Sequence, residues 1–563
     1  PAMASHRGGR VAVVWDAELH RAAVELARQT SSSVFMVVQA ALAALLTRLG
    51  ADEDIPVGSP IAGRTDDALD GLIGCFTNTV VLRTDTSGNP GFRELLGRVR
   101  ATNLAAYTHQ DLPFERLVEV LNPVRSLSRQ PLFQVLLAFQ NTPEVSLRLP
   151  GVDVGLEPVE VGVAKFDLSL SLRESRDEGG EAGIEGMLEY SSDLFDHPSA
   201  ELLVARLSRL LRAVLADPDR PIGRIDVLGD AERHQVLQEW NATAEALPAN
   251  ASTVHQVFAD QARRQPQAVA VRAGVRELTF GELDARADRL ARHLIELGVR
   301  PEDRVAVLTE RSIELVVCLL GILKAGAAYA PLHEGYPSEQ MQQVFHRSGA
   351  QVLLTDRAWH ERGVPQAARV VVVEEDDQLV PGESTAPAVP AHPDQAVYVM
   401  HTSGSTGEPK GITITHRALL ELALDARWEP GHQDRVLMHA PYAFDIANYE
   451  LWIPLLTGGQ VILAPPGDLD VAELKRLIVE EGITGVHFTA GLFRVVADDL
   501  ADALGGVREI LTGGDVVSVA AVESVLRAAP HVVVRHLYGP TEITLCATQH
   551  RVTAPAEPVS YTH

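Results

Sequence analysis

From Ala268 onward, short apolar runs alternate with longer helical patterns, and that alternation leaves few folds open to the chain. Ala268-Val269-Ala270-Val271 leads into a helical pattern over 280–297, and Val305-Ala306-Val307-Leu308 into another over 312–324. Val352-Leu353-Leu354 and residues 370–373 read as further strands. This βαβ rhythm predicts a largely parallel sheet with helices outside it. Ligands of such sheets bind beyond the carboxyl ends of the strands. One of those ends is conspicuous. The apolar run Ala396-Val397-Tyr398-Val399-Met400 reads as a buried strand, and Thr402-Ser403-Gly404-Ser405-Thr406-Gly407-Glu408-Pro409-Lys410-Gly411 follows it. Three glycines let the backbone turn its N–H groups onto an anion, four hydroxyls add donors, and Lys410 adds a charge. That is the composition of a polyphosphate cradle, the alternative being an ordinary Ser/Gly-rich loop. It is not a Walker A loop, because Gly411 rather than a hydroxyl residue follows Lys410.

Bulk properties exclude several classes. A chain of 563 residues suggests three or four units at roughly 150 residues per domain. Its 46% apolar and 22% charged content is that of a globular protein with sizeable cores. The net charge of −26 argues against nucleic acid as a partner, so a polyanionic ligand must be held by local charge such as Lys410. Cys75, Cys318 and Cys546 lie far apart and indicate neither a disulfide framework nor a zinc site. There is no run of 18 uncharged apolar residues, and Pro1-Ala2-Met3-Ala4-Ser5-His6-Arg7 lacks a signal-peptide core. The expectation is therefore a cytoplasmic chain without a membrane anchor, beginning inside a larger polypeptide.

In the first half, 16–30 and 33–49 read as helices, 55–64 and 78–83 as strands, and 92–109 as a helix. Strands are expected over 150–163 and 166–172, a solvated hairpin loop over 174–181, and a closing helix over 199–216. Four signatures lie along the way: Val57-Gly58-Ser59-Pro60-Ile61-Ala62-Gly63-Arg64, Ile73-Gly74-Cys75-Phe76-Thr77-Asn78-Thr79, His109-Gln110-Asp111-Leu112-Pro113-Phe114-Glu115 and Ser128-Arg129-Gln130-Pro131-Leu132-Phe133-Gln134. In this order they resemble the C-terminal lobe of a nonribosomal peptide synthetase condensation domain, which implies a chloramphenicol-acetyltransferase-like lobe over 1–228. The family's His-His-x-x-x-Asp-Gly acid/base motif occurs nowhere in the chain. His109 then reads as a helix-end histidine bonded to its neighbours, Arg64 and Asp111 as members of structural ion pairs, and no catalytic residue is assigned. Residues 229–248, with Trp240-Asn241-Ala242-Thr243, resemble the linker between condensation and adenylation domains, Trp240 anchoring it against a domain face.

The second half carries Leu278-Thr279-Phe280-Gly281-Glu282-Leu283, Leu323-Lys324-Ala325-Gly326-Ala327-Ala328-Tyr329-Ala330-Pro331-Leu332, the phosphate loop, Phe444-Asp445 and Tyr538-Gly539-Pro540-Thr541-Glu542. These resemble the first five core motifs of an amino-acid-activating adenylation domain, in the superfamily of acyl-CoA synthetases and luciferases. The fold implied over 249–557 is the large N-terminal subdomain of that adenylate-forming architecture, making the whole chain α/β and multidomain. His333-Glu334 and His401 depart from the usual Asp-Pro and Tyr, at positions flanking the motifs. The family reaction is attack of a carboxylate on the α-phosphorus of ATP with loss of pyrophosphate. By resemblance Thr402, Ser403, Gly404, Ser405, Thr406, Gly407 and Lys410 hold the leaving phosphates. Gly513, Gly514, Asp515 and Tyr538 frame the adenine, Thr541 contacts the α-phosphate, and Glu542 helps to bind Mg²⁺.

Asp445 follows an apolar-aromatic stretch, where an unpaired carboxylate is costly. In amino-acid-activating members an aspartate there receives the substrate's α-ammonium; an N-cap on 446–452 is the alternative. The family's remaining pocket positions fall on Ile446, Tyr449, His487, Leu511, Gly513, Leu537, Leu545 and Cys546. The string Asp-Ile-Tyr-His-Leu-Gly-Leu-Leu-Cys resembles pockets that activate 4-hydroxyphenylglycine. The leucines and Ile446 make an apolar slot for a ring, with room at Gly513. Tyr449 and His487 offer hydrogen-bonding groups to a phenol, unless His487 is simply a satisfied core histidine. The resemblance also implies a 4′-phosphopantetheine-bearing carrier protein as partner.

The family's ribose-binding Asp and its catalytic Lys subdomain would follow the last motif, and 558–563 do not continue the family pattern. The expectation is a truncated fragment with a non-native tail, adenylating poorly by itself. An acyl- or aryl-CoA ligase and a non-catalytic scaffold are the competing readings.

Overall fold

The computed structural model describes residues 3–63, 72–140, 162–177, 180–248, 251–374, 387, 389–402, 409–467 and 469–552. They fall into two compact units, Pro1–Thr243 and Ala244–His563, rather than the three or four that length suggests. In the first unit, β1 (Gly8–Asp16) ends on Asp16, whose carboxylate caps α1 (Ala17–Gln29) by accepting the Leu19 N–H at 2.8 Å. Ser33 caps α2 (Val34–Arg48) in the same way through Met36. These are the two helices expected over 16–30 and 33–49, started by side chains that satisfy otherwise free first-turn N–H groups. Every residue from Met36 to Leu45 of α2 is buried, so this helix is apolar on nearly all sides. The rest of the unit is β2 (Asp54–Ile61), β3 (Asn78–Asp85), α3 (Phe92–Tyr107), α4 (Phe114–Leu121), β4 (Val135–Gln140), β5 (Leu168–Asp177), β6 (Gly180–Ser191) and α5 (His197–Ala216). Its sheet runs β1-β6-β5-β4-β2-β3, parallel at β2–β4 and β4–β5 and antiparallel elsewhere.

Several expectations change here. Within the acidic stretch, residues 174–177 and 180–181 are not loop but the paired ends of β5 and β6. Residues expected to be linker include a short helix, α6 (Asp230–His234), which Gln235–Glu239 extend in wider π geometry. Trp240 does not anchor this segment, being 66% exposed. His109 sits exposed in the turn after α3, its backbone N–H given to Ala106. Asp111 is exposed with no ion pair to a described residue, whereas Arg64 and nearly all of the expected 150–163 strand lie outside the described residues.

The second unit starts with α7 (Val254–Arg264), then β7 (Val269–Ala273), β8 (Arg276–Thr279) and α8 (Phe280–Glu296). Thr279 and Glu282 form a reciprocal capping box at the start of α8, which explains the Thr-Phe-Gly-Glu pattern physically. β9 (Arg304–Leu308), α9 (Ile313–Lys324), β10 (Ala328–Pro331), β11 (Val352–Thr355), β12 (Arg369–Val372), β13 (Ala396–Thr402) and β14 (Lys410–Thr415) follow. They build a sheet in the order β12-β11-β9-β10-β13-β14, parallel except at β13–β14. β15 (Arg435–Met438), β16 (Gln460–Leu463), β17 (Gly485–Thr489), β18 (Glu509–Gly513), β19 (Val533–Tyr538) and β20 (Thr548–Val552) complete a second sheet, β20-β19-β18-β17-β15-β16-β7-β8, parallel from β19 to β7. The βαβ rhythm thus produces two sheets instead of one. Among the described residues no single helix is long and apolar enough to cross a membrane.

Candidate functional site

Three neighbouring parallel strands supply one wall. In register, His487 of β17 faces Leu511 of β18, which faces Arg535 of β19, and Gly513 faces Leu537 one step further on. Side chains alternate along a strand, so His487, Leu511, Gly513 and Leu537 share one face of the sheet. A Cβ on Gly513 would meet the Leu537 carbonyl oxygen at 2.3 Å, so only glycine fits there. Gly514 follows at φ +80°, a second backbone reason for the Gly-Gly pair.

The segment after β15 comes over this wall in successive turns, with Phe444 bonded back to Pro441, Ala447 to Phe444 and Asn448 to the Asp445 carbonyl. It enters one turn of π-helix, Asn448–Trp452, and then the helix Ile453–Thr457. Asn448 Nδ2 donates to the Tyr398 hydroxyl on β13 (2.8 Å) and to the Thr544 carbonyl (3.3 Å). One side chain thereby ties together the strand before the phosphate loop, the turn at Asp445, and the turn at Thr541–Ile543. Thr541 Oγ1 donates to Asp445 Oδ2 at 2.7 Å. The Asp445 carboxylate does not cap the helix, whose first residue is preceded by Ala447 without a side-chain bond. Burial pushes the Asp445 carboxyl above its usual range and the negative Glu542 adds to this, the Thr541 bond opposing. A half-buried carboxylate raised in this way gains from a cation placed beside it.

Tyr449, Leu511, Leu537 and Leu545 belong to one apolar cluster, with Ile446 and Cys546 packed against it. Burial pushes the Cys546 thiol up to about 11, so it acts as a small apolar group. Tyr449 is fully buried against Trp428, ring centroids 5.6 Å apart. Its hydroxyl has no well-formed hydrogen bond among the described residues; Gln433 lies beside it but gives its amide N–H to Glu509 Oε2 at 2.6 Å. His487 is 6% exposed, and burial together with the nearby His439 pushes its ring down to about 3, so it is neutral. Its Nδ1 has no partner among the described residues. It is not a satisfied core histidine.

Glu450 escaped the reading from sequence. It is fully buried, its Oε2 accepts the backbone N–H groups of His439 (3.1 Å) and Ala440 (3.0 Å), and its Oε1 has no hydrogen bond among the described residues. His439 Nε2 is 3.6 Å from that Oε1 and donates to the His487 carbonyl at 2.6 Å. Candidate ligand atoms of His439, Glu450 and His487 lie within 4.8 Å of one another. The signal was available: Glu450 is the one charged residue between Ile446 and Leu456.

On the phosphate side, Thr402 closes β13 and pairs with Lys410 at the start of β14, so the loop's two ends are adjacent. Ser403, Gly404, Ser405, Thr406 and Gly407 lie outside the described residues. Lys410, Asp515 and Glu542 are exposed, and Tyr538 is 70% exposed at the carboxyl end of β19. Asp515 accepts the Val516 N–H at 2.7 Å. Among the described residues, Thr402, Lys410 and Tyr538 thus stand on strand ends and His487, Leu511, Gly513 and Leu537 on one face of a sheet, while the Thr541–Asp445 bond joins two of the remaining expected residues.

Comparison with known proteins treats the two halves of the chain separately. The condensation-domain family matches residues 1–237 and the AMP-binding enzyme family residues 258–562. The chain is 43% identical over 568 residues to a dimodular nonribosomal peptide synthase of Bacillus subtilis (strain 168), covering 97% of this chain and 24% of that protein. It matches the fold of a four-domain nonribosomal peptide synthetase crystallised with AMP and glycine, at a TM-score of 0.82 and 24% identity, over 99% of this chain and 42% of that one. The N-terminal subdomain of Klebsiella oxytoca NpsA, in complex with 3-hydroxybenzoyl-AMSN, matches at a TM-score of 0.51 and 27% identity, over 55% of this chain and 78% of that one. The architecture is a condensation domain followed by an adenylate-forming α/β domain. The chain belongs to the AMP-binding enzyme family, in the form found in nonribosomal peptide synthetases, and spans about a quarter of the length of the Bacillus subtilis relative.

Proposed function

We propose that the chain is part of a nonribosomal peptide synthetase module in which residues 249–557 activate an α-amino acid, 4-hydroxyphenylglycine, as its aminoacyl-adenylate for loading onto a carrier protein. The observation that carries this reading is the half-buried Asp445 carboxylate at the lip of an apolar sheet face. Asp445 receives the α-ammonium. Ile446, Leu511, Leu537, Leu545 and Cys546 surround the ring, Gly513 leaves it room, and Tyr449 and His487 meet the phenol. Beside Asp445, Thr541 is one hydrogen bond away, in reach of the carboxylate end of the same substrate. Thr402, Ser403, Gly404, Ser405, Thr406, Gly407 and Lys410 hold the ATP phosphates, and Gly514, Asp515 and Tyr538 hold the nucleoside. Mg²⁺, where bound, neutralises phosphate charge, and the exposed Glu542 would hold it. Residues 1–228 contribute to the condensation step that joins the amino acid to a peptide, with 229–248 as linker and 4′-phosphopantetheine on the carrier as the tether.

The test is calorimetric titration of the chain with sulfamoyl-adenosine conjugates of amino acids and of matched acids lacking the α-amine. The 4-hydroxyphenylglycyl conjugate should bind most tightly, and its des-amino counterpart at least ~10²-fold more weakly, as expected for an unpaired buried carboxylate. Equal binding of the two would remove Asp445 from its role and favour an aryl-acid ligase.

A further inference from the structure

Two buried polar atoms without a hydrogen bond among the described residues, Glu450 Oε1 and His487 Nδ1, sit in the region where the β17–β18 face meets the π-helical turn. Buried polar atoms are nearly always paired, and two bare ones together mark a place where a ligand group completes the set. A metal ion is a poor fit. A carbonyl oxygen can only accept, so His439 Nε2, 2.6 Å from the His487 carbonyl, carries its proton and has no lone pair for a cation. A hydroxyl is a good fit. Hydrogen bonds of ~2.8 Å in tetrahedral directions about one oxygen place its partners roughly 4.6 Å apart, and candidate ligand atoms of Glu450 and His487, with His439, lie within 4.8 Å of one another.

We propose that Glu450 is a specificity-determining residue: its Oε1 accepts the phenolic O–H of the substrate, while a ring N–H of His487 donates to the same oxygen. This rests on the reading of the site given above and assigns the hydroxyl a partner that the pocket positions do not include. Donors and acceptors match. A phenol has one proton to give and lone pairs to share; the carboxylate only accepts, and a neutral imidazole can donate. Glu450 is already held in place, since its Oε2 takes two backbone N–H groups. A ring without the hydroxyl leaves the carboxylate oxygen bare.

The experiment titrates the full chain with sulfamoyl-adenosine conjugates of 4-hydroxyphenylglycine, phenylglycine and 4-aminophenylglycine. The unmodified chain should prefer the hydroxylated ring over the bare one by about 10⁴-fold. The amino ring still donates to Glu450, so it should lose only about tenfold, the cost of one weakened bond. Glu450→Gln keeps an oxygen for the His439 and Ala440 N–H groups and presents an amide donor instead of a carboxylate acceptor. Its preference for hydroxyl over bare ring should fall by about 100-fold, the value of a charge-assisted hydrogen bond. A preference unchanged in E450Q would leave Glu450 a purely structural residue and overturn the proposal. So would rejection of the amino ring as strongly as the bare one, a measurement that involves no altered chain. If the unmodified chain shows no preference for the hydroxyl at all, the 4-hydroxyphenylglycine reading falls together with this inference.

Discussion

Each unit of the molecule buries a small cluster of polar side chains, and the two clusters are built differently. In the first unit Gln39, Thr84 and Asn103 are 0–1% exposed, and Gln39 Nε2 donates to Thr84 Oγ1 (3.1 Å) and Asn103 Oδ1 (3.2 Å) while Asn103 Nδ2 donates back to Gln39 Oε1 (2.6 Å). That cluster satisfies itself. In the second unit Tyr449, Glu450 and His487 are equally secluded, yet each keeps an atom without a hydrogen bond among the described residues. A self-satisfied cluster specifies how helices meet a sheet; an incomplete one specifies what must arrive. The contrast also holds inside the second unit. Close to the incomplete cluster, Glu509 receives Gln433 and Arg535 (both 2.6 Å), and Arg535 reaches Gln549 (2.8 Å) and lies over Trp428. Both carboxylate oxygens of Glu509 are thus taken. The network buttresses the ring of Tyr449 through Trp428.

The largest effect should therefore come from a residue with no direct role in binding. Arg535→Leu leaves Glu509 buried and unpaired, and the second unit should lose about 3–5 kcal/mol of stability. Urea denaturation measures this, and adding Glu509→Leu should recover most of it. A mild effect of Arg535→Leu would mean that the network is not the closed structural element the comparison requires. Asp445→Asn tests the other kind of site. Adenylate-analogue affinity should fall by about 100-fold, within the range for removing one partner of a buried charge pair. Stability should not fall, because the amide still accepts from Thr541 and the buried charge is gone.

Much of this contrast could be read in the chain before any coordinates. Asp16, Ser33 and Thr279 announce helices because their oxygens answer a local demand within three residues, and β9, β11 and β13 follow from short β-branched or apolar runs. Asp445 stood out as a carboxylate in an aromatic run. Glu450 did not, although the same argument applies, because periodicity marks helix faces and says nothing about which carboxylate oxygen remains free. Trp240 was misjudged for a related reason: an isolated tryptophan suggests an anchor, but whether a face lies beneath it depends on tertiary packing. The split into two parallel sheets depends on strand order, which local rhythm does not encode. The interior of the phosphate loop, Ser403 to Gly407, still rests on its composition.

In the first unit, Gln39→Leu removes one member of the satisfied cluster and leaves the amide of Asn103 without its buried partner. A loss of about 1–3 kcal/mol is expected, seen as a lower urea midpoint for the first unit with analogue affinity in the second unchanged. A change in analogue binding would show that the two clusters are not separate in function.

A further effect concerns protons. The His487 ring titrates near 3 in the folded chain and near 6.5 when unfolded. Between those values the unfolded chain binds a proton that the folded chain refuses. Stability contributed by His487 is thus fully present above about pH 6.5 and declines as pH falls towards 3, by ~1.4 kcal/mol per pH unit along the slope. His255 and His416, buried and pushed down to about 3 and about 4, add to the same trend. Comparing the unmodified chain with His487→Leu cancels their part. The variant's urea midpoint should fall less steeply between pH 6 and pH 4, by the equivalent of about one proton. Identical slopes would mean that His487 takes up its proton in the folded chain, paired with Glu450. The second cluster would then be able to complete itself, and the difference between the two clusters would be one of protonation rather than of an awaited hydroxyl.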